Sequence, residues 1–284
     1  MASLKRMVPA WHGGGLVEVA WSRGSQVMAL ADYRENLFRD PSVPWPPPAI
    51  TQKLFHGDRI WAFDKDEREI LTRNLGYYTN LQSINSEDAI TWSVFGTLAS
   101  APVDARVDFL NWVLEYLIAK GRLQGAFQPT MVLTNSWCSV DLWRRTPHPD
   151  THGLNGPELD FILDGDRVLV FGESKWKSSE AKGQGKEKDK TQMQLRCEFL
   201  QWAERVYGPD RLLLALMVVR DERLVDRILK RLVATANTCA VGDLPRVMVG
   251  VLTWKELCYE SNHPRADDLR MYYEWKSATP AGRL

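Results

Sequence analysis

The chain has 284 residues, 44% hydrophobic and 25% charged, which excludes disorder for most of its length and suits one large domain or a domain with an appendage. Lys and Arg number 36 and Asp and Glu also 36, so no global field draws the protein to a polyanion, and such binding must come from a local patch or from metal ions. The longest apolar run, Leu212 to Val219, is too short for a bilayer, Met1 to Arg6 leads into no apolar signal region, and Cys138, Cys197, Cys239 and Cys258 form no CxxC pair, so the expectation is a cytoplasmic protein with reduced thiols.

Gly13-Gly14-Gly15 is followed by no Lys-Ser/Thr pair and reads as a flexible turn, not a phosphate loop. Beyond it, "LVEVAW" and "QVMALADYRENLF" predict a strand and a short helix. The prolines of "PSVPWPPPA", residues 41–49, make a stiff strap, so residues 1–49 are expected to form an N-terminal extension ahead of a domain spanning 50–284. Asn85 or Ser86 caps a helix whose first turn is acidic and whose Ile90, Val94 and Leu98 recur at helical spacing. Pro102 to Gly121 predicts a second helix, with Phe109, Trp112, Val113, Tyr116 and Leu117 on its apolar side. The tryptophans number 12, but Trp92, Trp112 and Trp202 occupy apolar helical positions, which assigns them to packing and not to base stacking.

Residues 126–134 read as a strand and 136–143 as an irregular turn. "HPDTH", residues 148–152, lacks regular ligand spacing and reads as a surface loop, not a metal site. Strands follow near 158–163 and 167–175. "SSEAKGQGKEKDK", residues 178–190, has no apolar period and reads as a solvated loop. Thr191 caps a helix to about Val206, "LLLALMVV" is a buried strand, Asp221 opens another helix, and "RVMVGVLTW" is the final strand.

The hairpin "GPELDFILDGDRVLVFGESKWK", residues 156–177, places Glu158, Asp160, Glu173 and Lys175 within apolar runs, where an unpaired charge is expensive. Glu173 and Lys175 alternate onto one face, about 7 Å apart. A two-residue turn at Asp164-Gly165 or Gly165-Asp166 brings Asp160 to that face, and Asp-Gly favours such a turn. Two carboxylates and an ammonium suit Mg²⁺, with Mn²⁺ as a substitute, because Mg²⁺ takes oxygen ligands and is commonly held by one or two carboxylates plus substrate phosphate.

At this point the sequence resembles the PD-(D/E)XK nuclease superfamily, through Asp160 in "GPELD" and the acid-x-Lys of Glu173-Ser174-Lys175. The resemblance covers about residues 85–220. It implies an α/β, restriction-endonuclease-like core in the order helix-strand-strand-strand-helix-strand, a mixed central sheet flanked by helices, with an extra C-terminal helix and strand. It further implies metal-dependent hydrolysis of nucleic acid, usually DNA, with Asp160 and Glu173 as metal ligands and Lys175 as the catalytic lysine. The pattern departs from the family where Glu158-Leu159 is inserted after Pro157; Asp160, deeper in the strand, is preferred to Glu158 as the first acid. Glu87 resembles the acid that many of these nucleases supply from the first helix, with a helix-dipole role as the alternative. Among Gln192, Gln194 and Arg196, Gln192 matches the family's substrate-side glutamine.

Lys177, Lys182, Lys186, Lys188 and Lys190 outnumber the acids Glu180, Glu187 and Asp189, and with Arg196 they form either a clamp on the substrate backbone or a solvated charge run. The resemblance places such a protein in restriction, antiviral defence or DNA processing, as a homodimer or in a larger complex. A rival reading keeps the fold as a non-catalytic subunit that binds nucleic acid or scaffolds an assembly. A small-molecule enzyme of another α/β class is disfavoured by the lack of a nucleotide loop or nucleophile elbow. Alanine at Asp160, Glu173 or Lys175 is expected to abolish cleavage while sparing the fold.

Overall fold

The computed structural model describes residues 5–21, 28–55, 79–125, 134–146, 156, 158–176, 182–184, 187–207, 211–239 and 247–278. Its contacts divide the chain into two units, Met1–Thr97 with Asp267–Leu284, and Leu98–Ala266.

In the first unit, β1 (Lys5–Pro9), β2 (Leu16–Trp21) and β3 (Met28–Leu30) make an antiparallel sheet in that order. Helix α1 (Pro48–Phe55) begins inside the proline stretch, with Pro48 at the first position, where a missing N–H costs nothing. Helix α2 runs as α over Glu87–Thr91, π over Trp92–Gly96 and α again over Thr97–Ala99. Of the two candidate caps it is Ser86 that acts, its hydroxyl accepting the Ala89 N–H at 3.1 Å. Trp92 is buried and its indole N–H donates to the Phe38 carbonyl, as a packing role requires. The last helix, Ala266–Ala278, is tied into this unit by three donors: the Tyr272 hydroxyl to the Asn36 carbonyl (2.9 Å), the Trp275 indole to Pro9 (3.0 Å) and the buried Lys276 ammonium to Ile84 (2.9 Å).

The second unit is an α/β layer structure. Its elements are α3 (Val103–Ala119), β4 (Leu123–Gln124), β5 (Cys138–Arg145), β6 (Glu158–Gly165), β7 (Val168–Ser174), β8 (Lys182–Gln184), β9 (Glu187–Thr191), α4 (Gln192–Tyr207), β10 (Leu212–Val219), α5 (Val225–Cys239), β11 (Val247–Thr253) and α6 (Trp254–Tyr259). Six strands form one mixed sheet in the order β4-β11-β10-β7-β6-β5. Strands β5, β6 and β7 are an antiparallel meander; β10 runs parallel to both β7 and β11, and β4 closes the far edge antiparallel. Strand β10 is buried at all eight positions, as a central parallel strand covered by helices on both faces should be. On one face, Leu169, Phe171, Leu213, Ala215 and Met217 pack with Met193, Cys197 and Leu200 of α4 and Leu232 of α5. Helix α3 covers the other face, where Leu117 lies against Gly250.

The unit is thus α/β, a mixed six-strand sheet flanked by helices; with the short β4 and the separate ribbon β8-β9 set aside, α3, β5, β6, β7, α4 and β10 follow one another in the expected helix and strand order, and α5 and β11 come after them. Three expectations are corrected. The third strand of the meander is Cys138–Arg145 and not an irregular turn; as an edge strand its interior side chains Ser139 to Leu142 are all half-buried, so no in-out alternation marks it. Residues 126–133, and "HPDTH" at 148–152, lie outside the described residues. Within the charged stretch after the hairpin, β8 and β9 pair antiparallel, a ribbon built without an apolar residue and therefore without a period to read. On α3 the buried stripe is Phe109, Leu110, Val113, Leu114 and Leu117, while Trp112 and Tyr116 are only half-buried.

The β6-β7 turn also shifts. It has two residues, as expected, but they are Asp166-Arg167, since β6 ends at Gly165 and β7 starts at Val168. Tertiary bonds choose this pair. The Asn135 side-chain oxygen accepts the N–H groups of Arg167 (3.0 Å) and Val168 (3.2 Å), and the Asp166 carboxylate accepts those of Ser136 (2.8 Å) and Trp137 (3.2 Å). Gly165 serves close approach instead of turning: a Cβ there would stand 2.3 Å from Asn135 Oδ1 and 2.6 Å from Leu110 Cδ2.

Candidate active site

The parity of the turn decides what faces what. Phe161 pairs with Gly172 and Ile162 with Phe171, so the next step along the ladder sets Asp160 opposite Glu173, on the same face. The last bond of the hairpin is made by a side chain: Asp160 Oδ2 accepts the Ser174 N–H at 2.7 Å. Gly172 allows the strands to close here, because the Phe161 ring occupies the space its side chain would need. Trp143, which would oppose Asp160 from β5, is skipped in the pairing and holds φ 52, a left-handed backbone that a bulky residue adopts only under constraint.

Glu173 points to the α4 face with the odd-numbered residues of β7, and its side chain is 1% exposed. Lys175 Nζ lies 2.7 Å from its Oε1, and the Arg196 guanidinium of α4 meets Oε2. Lys175 is fixed by its backbone: its N–H donates to the Val218 carbonyl (2.8 Å) and its own carbonyl accepts the Trp254 indole N–H (3.1 Å). Arg196 also donates to the Glu158 carbonyl at 2.8 Å, so it bridges the two hairpin strands.

Two carboxylates thus face two cations, Glu173 and Arg196 buried and Asp160 and Lys175 half-buried. Burial, and after it the negative charge of Glu173, push the Asp160 carboxyl up to about 7, against the pull of Arg196, Lys175 and the Ser174 N–H. Such a carboxyl titrates near neutrality and gains from any added positive charge. Asp160 Oδ1 takes no hydrogen bond among the described residues and is the oxygen left for a ligand.

The structure brings together three of the expected site residues, Asp160, Glu173 and Lys175. Glu87 belongs to the first unit, in the first turn of α2. Gln192 opens α4 after the Thr191 cap, whose hydroxyl accepts the Gln194 N–H. Of the expected substrate lysines, Lys177 and Lys186 lie outside the described residues, Lys182 and Lys188 fall on β8 and β9, and Lys190 pairs with Glu198 at 2.8 Å. Arg196 corrects an expectation: placed among surface contacts to nucleic acid, it is 2% exposed and belongs to the carboxylate cluster. Its sequence position held the signal, for Met193, Arg196, Cys197 and Leu200 recur at the spacing of one helix face, and an arginine in an apolar stripe needs a buried partner.

Among the described residues no group of three or more His, Cys, Asp or Glu side chains converges as a complete metal cage. Mg²⁺ needs no such cage, and the pair Asp160 and Glu173 meets its ordinary demand on protein oxygens. The raised Asp160 carboxyl fits a cation as well, since a divalent charge would relieve the repulsion that raises it. No protein-family profile, no curated protein and no solved structure matches this chain.

Proposed function

We propose that the chain is a metal-dependent nuclease with a restriction-endonuclease-like core of the PD-(D/E)XK type, hydrolysing phosphodiester bonds, with DNA as the substrate class. The observation that carries this reading is the opposition of Asp160 and Glu173 across the hairpin with the Lys175 ammonium 2.7 Å from Glu173, at the carboxyl end of a parallel strand, where open α/β sheets bind ligands. The antiparallel meander β5-β6-β7 leading through α4 to parallel β10 supports it, as does α3 packed beneath. Asp160 and Glu173 would hold Mg²⁺, which supplies Lewis acidity at the scissile phosphate. Lys175, as an ammonium, would orient the attacking water and offset charge on the phosphate. The mixed charge of the chain leaves the ribbon β8-β9 and its lysines as the local polyanion contact, and restriction, antiviral defence or DNA processing as the setting.

One feature favours a second reading, a nuclease-fold subunit without turnover: the Arg196 guanidinium already stands in ionic contact with Glu173 Oε2. Incubation of supercoiled plasmid, linear duplex and single strands with Mg²⁺, Mn²⁺, Ca²⁺ or EDTA separates the two. The nuclease reading predicts cleavage in Mg²⁺ and Mn²⁺, binding with poor turnover in Ca²⁺, whose looser shell positions water less well, and none in EDTA. Binding without cleavage in every ion supports the subunit.

A further inference from the structure

Arg196 poses a problem that the catalytic roles leave unsolved. Its side chain is 2% exposed, yet its Nε and Nη1 have no hydrogen-bond partner among the described residues. Its remaining nitrogen reaches the Glu158 carbonyl at 2.8 Å and Glu173 Oε2. A buried guanidinium with two unsatisfied donors is costly, and among the described residues the Glu173 carboxylate is the charge of opposite sign that it touches. With Lys175 on Oε1, both oxygens of Glu173 stand against cations, Oε2 in ionic contact with Arg196 but without hydrogen-bond geometry, and the ionised cluster Asp160, Glu173, Lys175 and Arg196 is formally neutral with no metal present.

We infer that Arg196 is a positioning residue that acts as an internal counter-ion competing with the divalent cation for Glu173, so that metal entry is coupled to release of Oε2 from the guanidinium. This rests on the metal-dependent reading above. Two consequences follow from charge alone. The metal-free fold keeps the Glu173 charge offset, and metal affinity is held below what two facing carboxylates would otherwise reach. One nitrogen, Nη2, reaches the β6 carbonyl and the β7 carboxylate together.

The test is Mn²⁺ binding at pH 8, followed by the loss of the free-ion electron paramagnetic resonance signal, together with melting temperatures with and without Mn²⁺. Wild type is compared with Arg196→Gln and Arg196→Lys, and Asp160→Asn serves as the site control. Arg196→Gln should bind Mn²⁺ roughly tenfold to a hundredfold more tightly, the scale of one charge contact removed from Glu173. Arg196→Lys should fall between it and wild type, and decides the matter alone if the Gln variant does not fold. The gain in melting temperature on adding Mn²⁺ should be larger in both variants than in wild type, and Asp160→Asn should lose binding. Affinity equal to or below wild type in both, with an unchanged Mn²⁺ increment in melting temperature, would reduce Arg196 to a prop and overturn the inference while leaving the metal site standing. Absence of Mn²⁺ binding in wild type and both variants overturns the inference too, and marks the metal reading as the part that failed.

Discussion

Asp160 and Glu173 stand opposite each other, but their surroundings assign them opposite tolerances to substitution. Asp160 carries a carboxyl raised to about 7, above the ~3.9 of an exposed Asp. A raised carboxyl stabilises the fold fully below about pH 4, and that contribution is lost as pH rises through about 7. The metal-free melting temperature should therefore fall from pH 5 to pH 8, and Asp160→Asn should flatten that fall and melt higher at pH 8; parallel curves for the two proteins would deny the repulsion. Glu173 differs. The expectation that alanine there spares the fold overlooked Arg196, whose guanidinium it would leave buried and unpaired at a cost of about 3–5 kcal/mol. Urea titration at pH 7 should show Glu173→Ala far less stable than Asp160→Ala, whereas the sequence alone predicts the two to be alike.

At the scale of the element, the β6-β7 turn shows what was legible and what was not. Alternation along "VLVFGES" and an even turn length fix which side chains share a face, and both are local properties written in the chain. The turn's identity depends on Asn135 and Ser136, some thirty residues away, so Asp-Gly propensity pointed one step too early. The unread elements share one physical trait: β5 is a half-exposed edge and β8-β9 an entirely polar ribbon, and neither buries a stripe that a period could report. Arg196 was legible in principle, as the one charge in the buried stripe of α4. Two substitutions test the tertiary origin of the turn. Asn135→Ala should cost about 1–3 kcal/mol by orphaning the N–H groups of Arg167 and Val168. Gly165→Ala should cost about as much, its methyl driven into Asn135 and Leu110, although an Ala-for-Gly change in a solvent-facing strand would be harmless.

Across the whole molecule, charge balance and topology point to a local site and not to a global one. With 36 acidic and 36 basic residues no global field draws the chain to a polyanion, and on the proposed nuclease reading attraction to nucleic acid would be focused at the carboxyl end of β7, where the parallel pair β7-β10 ends beside Lys175. No helix among the described residues is long and apolar enough to cross a membrane. The sheet behind the site is rigid, its centre strand packed on both faces, so the hairpin carboxylates are held on regular elements and not on loops. Cleavage of phosphodiester bonds at this cluster, with Lys175 as its catalytic lysine, is read out by the nicking rate of supercoiled plasmid in saturating Mg²⁺, wild type against Lys175→Met. Lys175→Met should lose about 10²-fold or more in rate with substrate affinity little changed. A Lys175→Met protein that nicks at the wild-type rate, or a wild-type rate that survives EDTA, would contradict it.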